Sequence, residues 1–305
     1  MTANDSQPHV AITGAAGYIG SRVVTEIQEH HPEWTVTALD NFYLGDARTI
    51  GDTSVEHVDI RNRDRLETAL DGAYVVLHLA AISGVDDCEQ KADLAYEVNV
   101  QGTDNVAWFC RKTGAAMVFP FSMAVLGDPE QFPITVDHRR DPMNWYGRTK
   151  YLSERSIETF AEGSFPAHQF MISNLYGHHA VDGHTISKGT VINFFVDRAR
   201  AGEPLTVYEP GTQSRNFVHV VDVARAFVRS AERLLEQLDA GVTGTEKFEI
   251  ATDEDPSVMA MADLVADIAA GEGERPPVEL VDNPRGNETL VSDFAVDWSS
   301  ARAAG

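Results

Sequence analysis

The residues HVAITGAAGYIG, 9–20, pass from a short apolar segment into a turn with glycines at positions 14, 17 and 20. They continue into SRVVTEIQEH (21–30), whose apolar residues recur at helical spacing. A strand, a glycine turn and a helix in immediate succession have a physical rationale. One glycine permits the tight turn, one lets backbone N–H groups approach a bound group closely, and one lets helix and strand pack tightly. The positive end of the helix then faces the turn, which favours phosphate. Gly14, Gly17 and Gly20, with Tyr18 and Ile19 between them, are therefore read as the pyrophosphate cradle of a dinucleotide site. A glycine-rich turn alone is often only a turn. Its place between a predicted strand and a predicted helix is what gives it weight.

Outward from this turn the pattern repeats. Thr35–Asp40 (TVTALD) is a second strand ending in Asp40, twenty residues beyond Gly20. An acid there accepts hydrogen bonds from an adenosine ribose and repels a 2′-phosphate, so the cofactor is read as NAD, with NADP the alternative. Asn41 stands beside it, and Arg22 and Arg48 are the residues that could soften the preference. A third strand, Val55–Ile60, ends in Asp59 and Ile60, placed at the adenine; a solvated strand end is the plainer reading of the same acid. A fourth, Tyr74–Ala80, ends in Leu79 and Ala80, with Ala81 following, small residues where the cofactor backbone would pass. Asn99 lies in the helix that follows, as a cofactor contact or as a bridge between helix and sheet.

Strands also read at Ala115–Ser122 and near 168–173, and helices near 18–30, 63–71, 92–113 and 143–163. Strict alternation implies an α/β fold, a Rossmann-type doubly wound parallel sheet with helices on both faces. After residue 174 the pattern loosens into a Gly/His-rich loop, a helix near 188–201, the strand LTVY, a helix from about Asp222, the strand KFEIAT and a helix at 258–270. The expected division is an NAD-binding part with the catalytic residues (1–174) and a smaller, mixed α/β, mainly substrate-binding part (175–305). Some elements of the second part are expected to return to the main sheet.

Tyr146-Gly-Arg-Thr-Lys150 places a phenol and an ammonium one turn apart on a helix face. A free phenol titrates near pH ~10, too high for a base at neutral pH. A neighbouring ammonium and a positive nicotinamide would favour phenolate and lower that value. Ser122, ending the fifth strand, would share the proton of the same substrate hydroxyl. The YxxxK spacing occurs by chance in many helices. Its conjunction with the glycine turn and with Ser122 makes it a catalytic candidate.

The segments TGAAGYIG (13–20), LDN (39–41), VDIRNRD (58–64), HLAAIS (78–83), YEVNVQGT (96–103), FSMAVLG (121–127), WYGRTK (145–150) and SRNFVHVVDVARA (214–226) occur in this order across nearly the whole chain. In them the sequence resembles the extended short-chain dehydrogenases, the family of NAD-dependent epimerases and dehydratases that act on nucleotide sugars. The resemblance implies Tyr146 as base, Lys150 as its electrostatic partner at the nicotinamide ribose, and Ser122 as the second proton-sharing group. It also implies a homodimer, and a sugar or nucleotide-sugar substrate met by Ser83, Ser122, Asn174, Arg215 and Arg285. Arginine suits a diphosphate because its planar fork makes bidentate contacts.

The chain departs from the family pattern in places. Met123-Ala124 follow Ser122 where dehydratases carry an acid, which argues against 4,6-dehydration. Met171 replaces an arginine, and Glu209-Pro210-Gly211 stands where GDG is usual, with an acid that would repel a diphosphate. The reading adopted is a UDP-hexose-type 4-epimerase working through a keto intermediate. The alternative is a net sugar dehydrogenase that oxidises a free aldose at C1 to a lactone and releases NADH. The intact Ser122, Tyr146 and Lys150 set opposes a third class, a non-catalytic NAD-binding scaffold.

Composition excludes other classes. Forty-seven acids face 24 bases among 305 residues, a formal charge of −23. The acids are dispersed, and their field repels nucleic acid and anionic membranes. Such a surface, with lysine only at 91, 112, 150, 188 and 247, resembles proteins of salt-loving organisms, where ionic strength screens self-repulsion. Stability should then rise with salt; full stability in low-salt buffer would count against this. The N-terminus lacks the basic start and apolar run of a signal peptide, so a cytoplasmic location is expected. Cys88 and Cys110 are too few for a disulfide framework and are expected to be buried thiols. His178, His179 and His184 have poor ligand spacing, and no metal is expected.

Overall fold

The computed structural model describes residues 7–271, 273–284 and 291–305. In chain order the first half contains β1 (His9–Thr13), α1 (Tyr18–His30), β2 (Thr35–Asp40), β3 (Thr49–Ile50), β4 (Thr53–His57), α2 (Arg63–Ala69), β5 (Val75–His78), α3 (Val85–Gln90), α4 (Ala92–Tyr96), α5 (Thr103–Thr113), β6 (Ala116–Ser122), α6 (Trp145–Ala161) and β7 (Pro166–Ile172). The second half contains β8 (Asn174–Tyr176), β9 (His179–Val181), β10 (His184–Ile186), α7 (Val191–Arg200), β11 (Leu205–Tyr208), β12 (Phe217–His219), α8 (Val220–Asp239), β13 (Gly244–Ile250), α9 (Val258–Ala270), β14 (Val278–Val281) and α10 (Ser299–Ala304).

The main sheet has eight strands in the order β13-β7-β6-β5-β1-β2-β4-β3. It is parallel except for β3, which runs antiparallel to β4. Successive side chains of a strand point to opposite faces, and here both faces are buried. Ala11, Leu39, Val76, Met117, Phe119 and Met171 enter one core with Val106, Phe109 and Ile157. Val10, Ile12, Ala38, Leu77, Val118 and Phe170 enter the other with Val23, Ile27, Phe227 and Ala231. This is why the strands read as continuous apolar runs. A third, smaller core of Phe195, Leu205, Val207, Val258, Ala262 and Ala266 joins α7, β11 and α9.

After β1 the chain winds outward through β2 and β4, then crosses back to β5 on the other side. The crevice beyond the ends of β1 and β5 is the switch point where such folds bind ligands.

Several segments depart from the expected elements: the loop after residue 174 contains the β9–β10 hairpin, and α3 was not expected. The third strand is Thr53–His57, so Val58, Asp59 and Ile60 already lie beyond it. The helix expected over 92–113 is interrupted by a π-helical segment, Glu97–Gly102. A Cβ on Gly102 would lie 2.5 Å from Ile60 Cδ1, so the widened turn packs directly on the residue after Asp59. The second half contributes to the main sheet, since β13 pairs in parallel with all of β7 and α8 covers one face.

One buried ionic cluster ties these parts together. Glu154 on α6 has a side chain 1% exposed and meets Arg140 at 2.6 Å and Lys247 of β13 at 2.6 Å. Arg140 also donates to the carbonyl of Val136 at 2.7 Å. Cys88 and Cys110 are buried free thiols. Among the described residues, no helix is long and apolar enough to cross a membrane.

Candidate active site

The glycine turn is as tight as the sequence requires. Gly14 has φ +75°, and a Cβ on it would lie 2.6 Å from the backbone N of Ala80. A Cβ on Gly20 would lie 2.1 Å from the carbonyl oxygen of Gly14. α1 starts after Gly17 with no side-chain cap, which leaves the first N–H groups of the helix, at Tyr18 and Ile19, free to meet an anion. Gly45 was not singled out from sequence, yet a Cβ there would sit 2.1 Å from Ala16 O, so the loop after β2 rests on the turn. A glycine soon after the LDN segment was the available signal.

Asp40, at the end of β2, accepts hydrogen bonds from Ala16 N–H (3.0 Å) and Phe42 N–H (2.7 Å). Burial raises its pKa, against the pull of those backbone donors and of Arg48. Asn41 N–H is a third backbone donor, and the carboxylate still has room for a ribose hydroxyl. Replacing Asp40 with Ala should weaken NAD binding about 10- to 100-fold and NADP binding less; equal losses measured by titration would show that it does not read the ribose. Arg22 is engaged by Glu26 and Glu29, and Arg48 stacks on the Phe42 ring at 3.6 Å.

Asp59 is paired with Arg61, which also holds Glu97, and the Arg61 side chain is the main reason its pKa is lowered. Asn41 accepts from Tyr43 N–H at 3.1 Å and hydrogen-bonds Asp59. Ile60 is 5% exposed and its side chain belongs to the core. Leu79 N–H bonds Thr13 O at 3.0 Å, which sets Leu79 and Ala80 against the glycine turn; Ala81 follows them, half-buried.

The Asn99 side chain bridges helix and sheet. Its amide oxygen accepts from Ile82 N–H (2.8 Å), and its amide nitrogen donates to Ile82 O (3.0 Å) and Thr149 Oγ1 (3.1 Å). Both donors are spent, so the side chain is a clamp between the end of β5 and α6. Its backbone carbonyl accepts from Thr103 Oγ1 and Ser153 Oγ, each at 2.6 Å. His78, buried beneath it, bridges Thr13 Oγ1 (2.7 Å) and Thr103 Oγ1 (2.9 Å). Burial, and next the Lys150 charge, lower the His78 pKa to about 3, which keeps the imidazole neutral. The spacing of HLAAIS did not reveal this role.

α6 is capped by Asn144, whose side chain accepts from Gly147 N–H at 2.8 Å. A Cβ on Gly147 would fall 2.4 Å from Ala124 O, so α6 lies directly on the segment after Ser122. That contact brings Tyr146 to Ser122. Burial pushes the Tyr146 phenol up to about 12, while its hydrogen bond with Ser122 acts in the opposite sense. Ser122 Oγ in turn accepts from Ala124 N–H at 3.2 Å. Lys150 is buried, its Nζ donating to Pro120 O at 3.2 Å and lying 4.7 Å from the Phe119 ring. Desolvation lowers its pKa to about 8. The chain's own groups therefore raise the phenol pKa, against the lowering expected from an ammonium neighbour.

Ser122, Tyr146, Asn174, Lys188 and Arg215 line one cleft of about 310 Å³. Lys188 had no sequence signal; it enters from the loop before α7 and donates to Ser83 Oγ at 2.8 Å. Asn174 donates through its side-chain amide to Asn216 O at 3.1 Å. Arg215 lies 5.7 Å from the Phe294 ring. Met171 is fully buried in the core. Arg285 lies outside the described residues. Tyr18 reaches out of the glycine turn to bond Gly177 O at 2.7 Å, tying the turn to the histidine loop. There His179 meets Ser21 at 2.9 Å, His178 faces Asp197 at 3.2 Å and His184 is exposed.

A family model described as the NAD dependent epimerase/dehydratase family matches residues 10–246. A UDP-glucose 4-epimerase of Rhizobium leguminosarum bv. trifolii is 30% identical over 247 residues, 76% of this chain and 74% of the relative. Among solved structures, a UDP-glucose-4-epimerase of Stenotrophomonas maltophila with bound NAD and formylated UDP-arabinopyranose superposes with TM-score 0.85 at 24% identity, covering 98% and 92% of the two chains. MoeE5 in complex with UDP-glucuronic acid and NAD gives 0.77 at 26%, covering 97% and 92%.

Proposed function

Because this chain belongs to the NAD dependent epimerase/dehydratase family, we propose that it is a nucleotide-sugar 4-epimerase of the UDP-hexose type. The observation that carries this is the single cleft lined by Ser122, Tyr146, Asn174, Lys188 and Arg215. A hydroxyl-activating pair and two cations share it, as a sugar joined to a diphosphate requires.

The residues present fit a dinucleotide. The N–H groups after Gly17 would hold its pyrophosphate, Asp40 its adenosine ribose and Lys150 its nicotinamide ribose. When bound, NAD would supply a positive ring that takes a hydride from C4 of the sugar, returns it to the opposite face and favours phenolate at Tyr146. Tyr146 takes the hydroxyl proton of the sugar and Ser122 shares that hydrogen bond. Tyr146 gives the proton back once the 4-keto sugar has turned its other face. Asn174 and Arg215 hold the diphosphate, which lets the sugar pivot while remaining bound. Equal burial of both C4 epimers is what an epimerase needs, since it must bind substrate and product in one cleft.

The protein is also proposed to dimerise through α5 and α6, where Trp108 is 37% and Leu152 44% exposed. Light scattering giving twice the chain mass checks this. The activity test is incubation with UDP-glucose or UDP-galactose in high salt, followed by chromatography. Interconversion without net absorbance at 340 nm is expected. Stoichiometric NADH from a free aldose would instead make the enzyme a net dehydrogenase.

A further inference from the structure

We propose that Lys188 recognises a carboxylate on the hexose, so that the preferred substrate is a nucleotide hexuronate. The inference rests on the epimerase reading above and deepens it.

Lysine is scarce in this chain, with five in all, yet two of them, Lys150 and Lys188, point into the catalytic region. Lys188 is held there firmly. Its carbonyl accepts from Thr190 N–H at 2.7 Å and from the Asn193 amide at 3.0 Å. Asn193 is 1% exposed and also bonds both backbone groups of Gly177, at 2.7 and 3.0 Å. One buried side chain thus pins both ends of the loop that carries the lysine. The ammonium then lands on Ser83, beyond the end of β5, in the same cleft as Ser122 and Tyr146.

Placing a second ammonium close to Lys150 has a cost. Burial weakens the charged form of Lys188, opposed by Asp87 nearby, and its charge also disfavours that of Lys150. An ammonium kept in such a place is stabilised by an anion that arrives with the ligand. Of its three donors one serves Ser83, leaving two for that anion. The other cation of the cleft, Arg215, comes from a different segment, just before β12 and 5.7 Å from the Phe294 ring. With the diphosphate held by Arg215, the group left to face Lys188 is the hexose itself. Neutral hydroxyls could accept a hydrogen bond from it but would not balance its charge. A C6 carboxylate does both.

The test compares C4 interconversion of UDP-glucuronate and UDP-glucose by the wild type, Lys188→Gln and Lys188→Arg, with bound NAD measured in each. The wild type should prefer the uronate. Lys188→Gln should lower the uronate-to-glucose ratio of kcat/KM by about 10- to 100-fold, and Lys188→Arg should recover most of it. Because a ratio is read, partial misfolding of a variant cancels. Equal loss on both sugars, or loss of NAD, would overturn the inference in favour of a cofactor contact. A wild type that interconverts UDP-glucose but not UDP-glucuronate would overturn it while leaving the epimerase reading intact. Activity only as NADH release from free aldoses would overturn both.

Discussion

Tyr146→Phe is expected to lower turnover by about 10² to 10⁴, the usual worth of a positioned acid–base group, while leaving NAD binding nearly intact. The substitution removes one oxygen from a partly buried ring and leaves α6 unaltered. The helix is placed by the Asn144 cap, by the close approach of Gly147 to Ala124 and by the Asn99 bonds to Thr149 and Ser153. Lys150 keeps its bond to Pro120 O. Ser122 loses its phenol partner but still accepts from Ala124 N–H. The loss should therefore fall on kcat rather than on cofactor affinity. Activity within a few-fold of the wild type would remove Tyr146 from the chemistry. Loss of bound NAD would show that the ring matters for the cofactor site instead.

The second large effect concerns stability. Glu154→Gln should destabilise the fold by about 3 to 5 kcal/mol, because it leaves the buried Arg140 charge without its counter-ion. Arg140 has a side chain only 8% exposed, and Lys247, 22% exposed, retains Glu158 as a second partner. The effect has a pH signature. Burial alone would raise the Glu154 pKa, but Arg140 and Lys247 outweigh it and hold the carboxyl below its usual 4.5. A carboxyl depressed in the folded state stabilises above its unfolded pKa, and that stabilisation is lost as pH falls through the folded value. The gap between wild type and variant in urea midpoints should thus be full at neutral pH and shrink below about 4.5. A gap independent of pH would show that packing, not charge, is what the substitution removes.

Much of the site could be read from the sequence because its chemistry is local. Gly14, Gly17 and Gly20 lie within seven residues, between one strand and one helix. Tyr146 and Lys150 lie on one helix face, and Asp40 and Ser122 each close a strand. What could not be read depends on contacts between distant segments. The Ile60 side chain turns into the core, and Asn99 joins Ile82 to Thr149, fifty residues on. Lys188 bonds a serine 105 positions earlier, and Glu154 joins Lys247 across 93.

By itself, then, the sequence determined the alternation of strands and helices, the tight glycine turn and the Tyr–Lys pair. Each follows from backbone conformational preference or side-chain periodicity over a few residues. Only the tertiary structure decided that β13 completes the sheet, that a π-helical turn diverts Asn99 into a clamp, and that a second ammonium stands in the cleft. Those outcomes depend on which surfaces are buried together. Burial turns a solvated side chain into a charge that must find its partner.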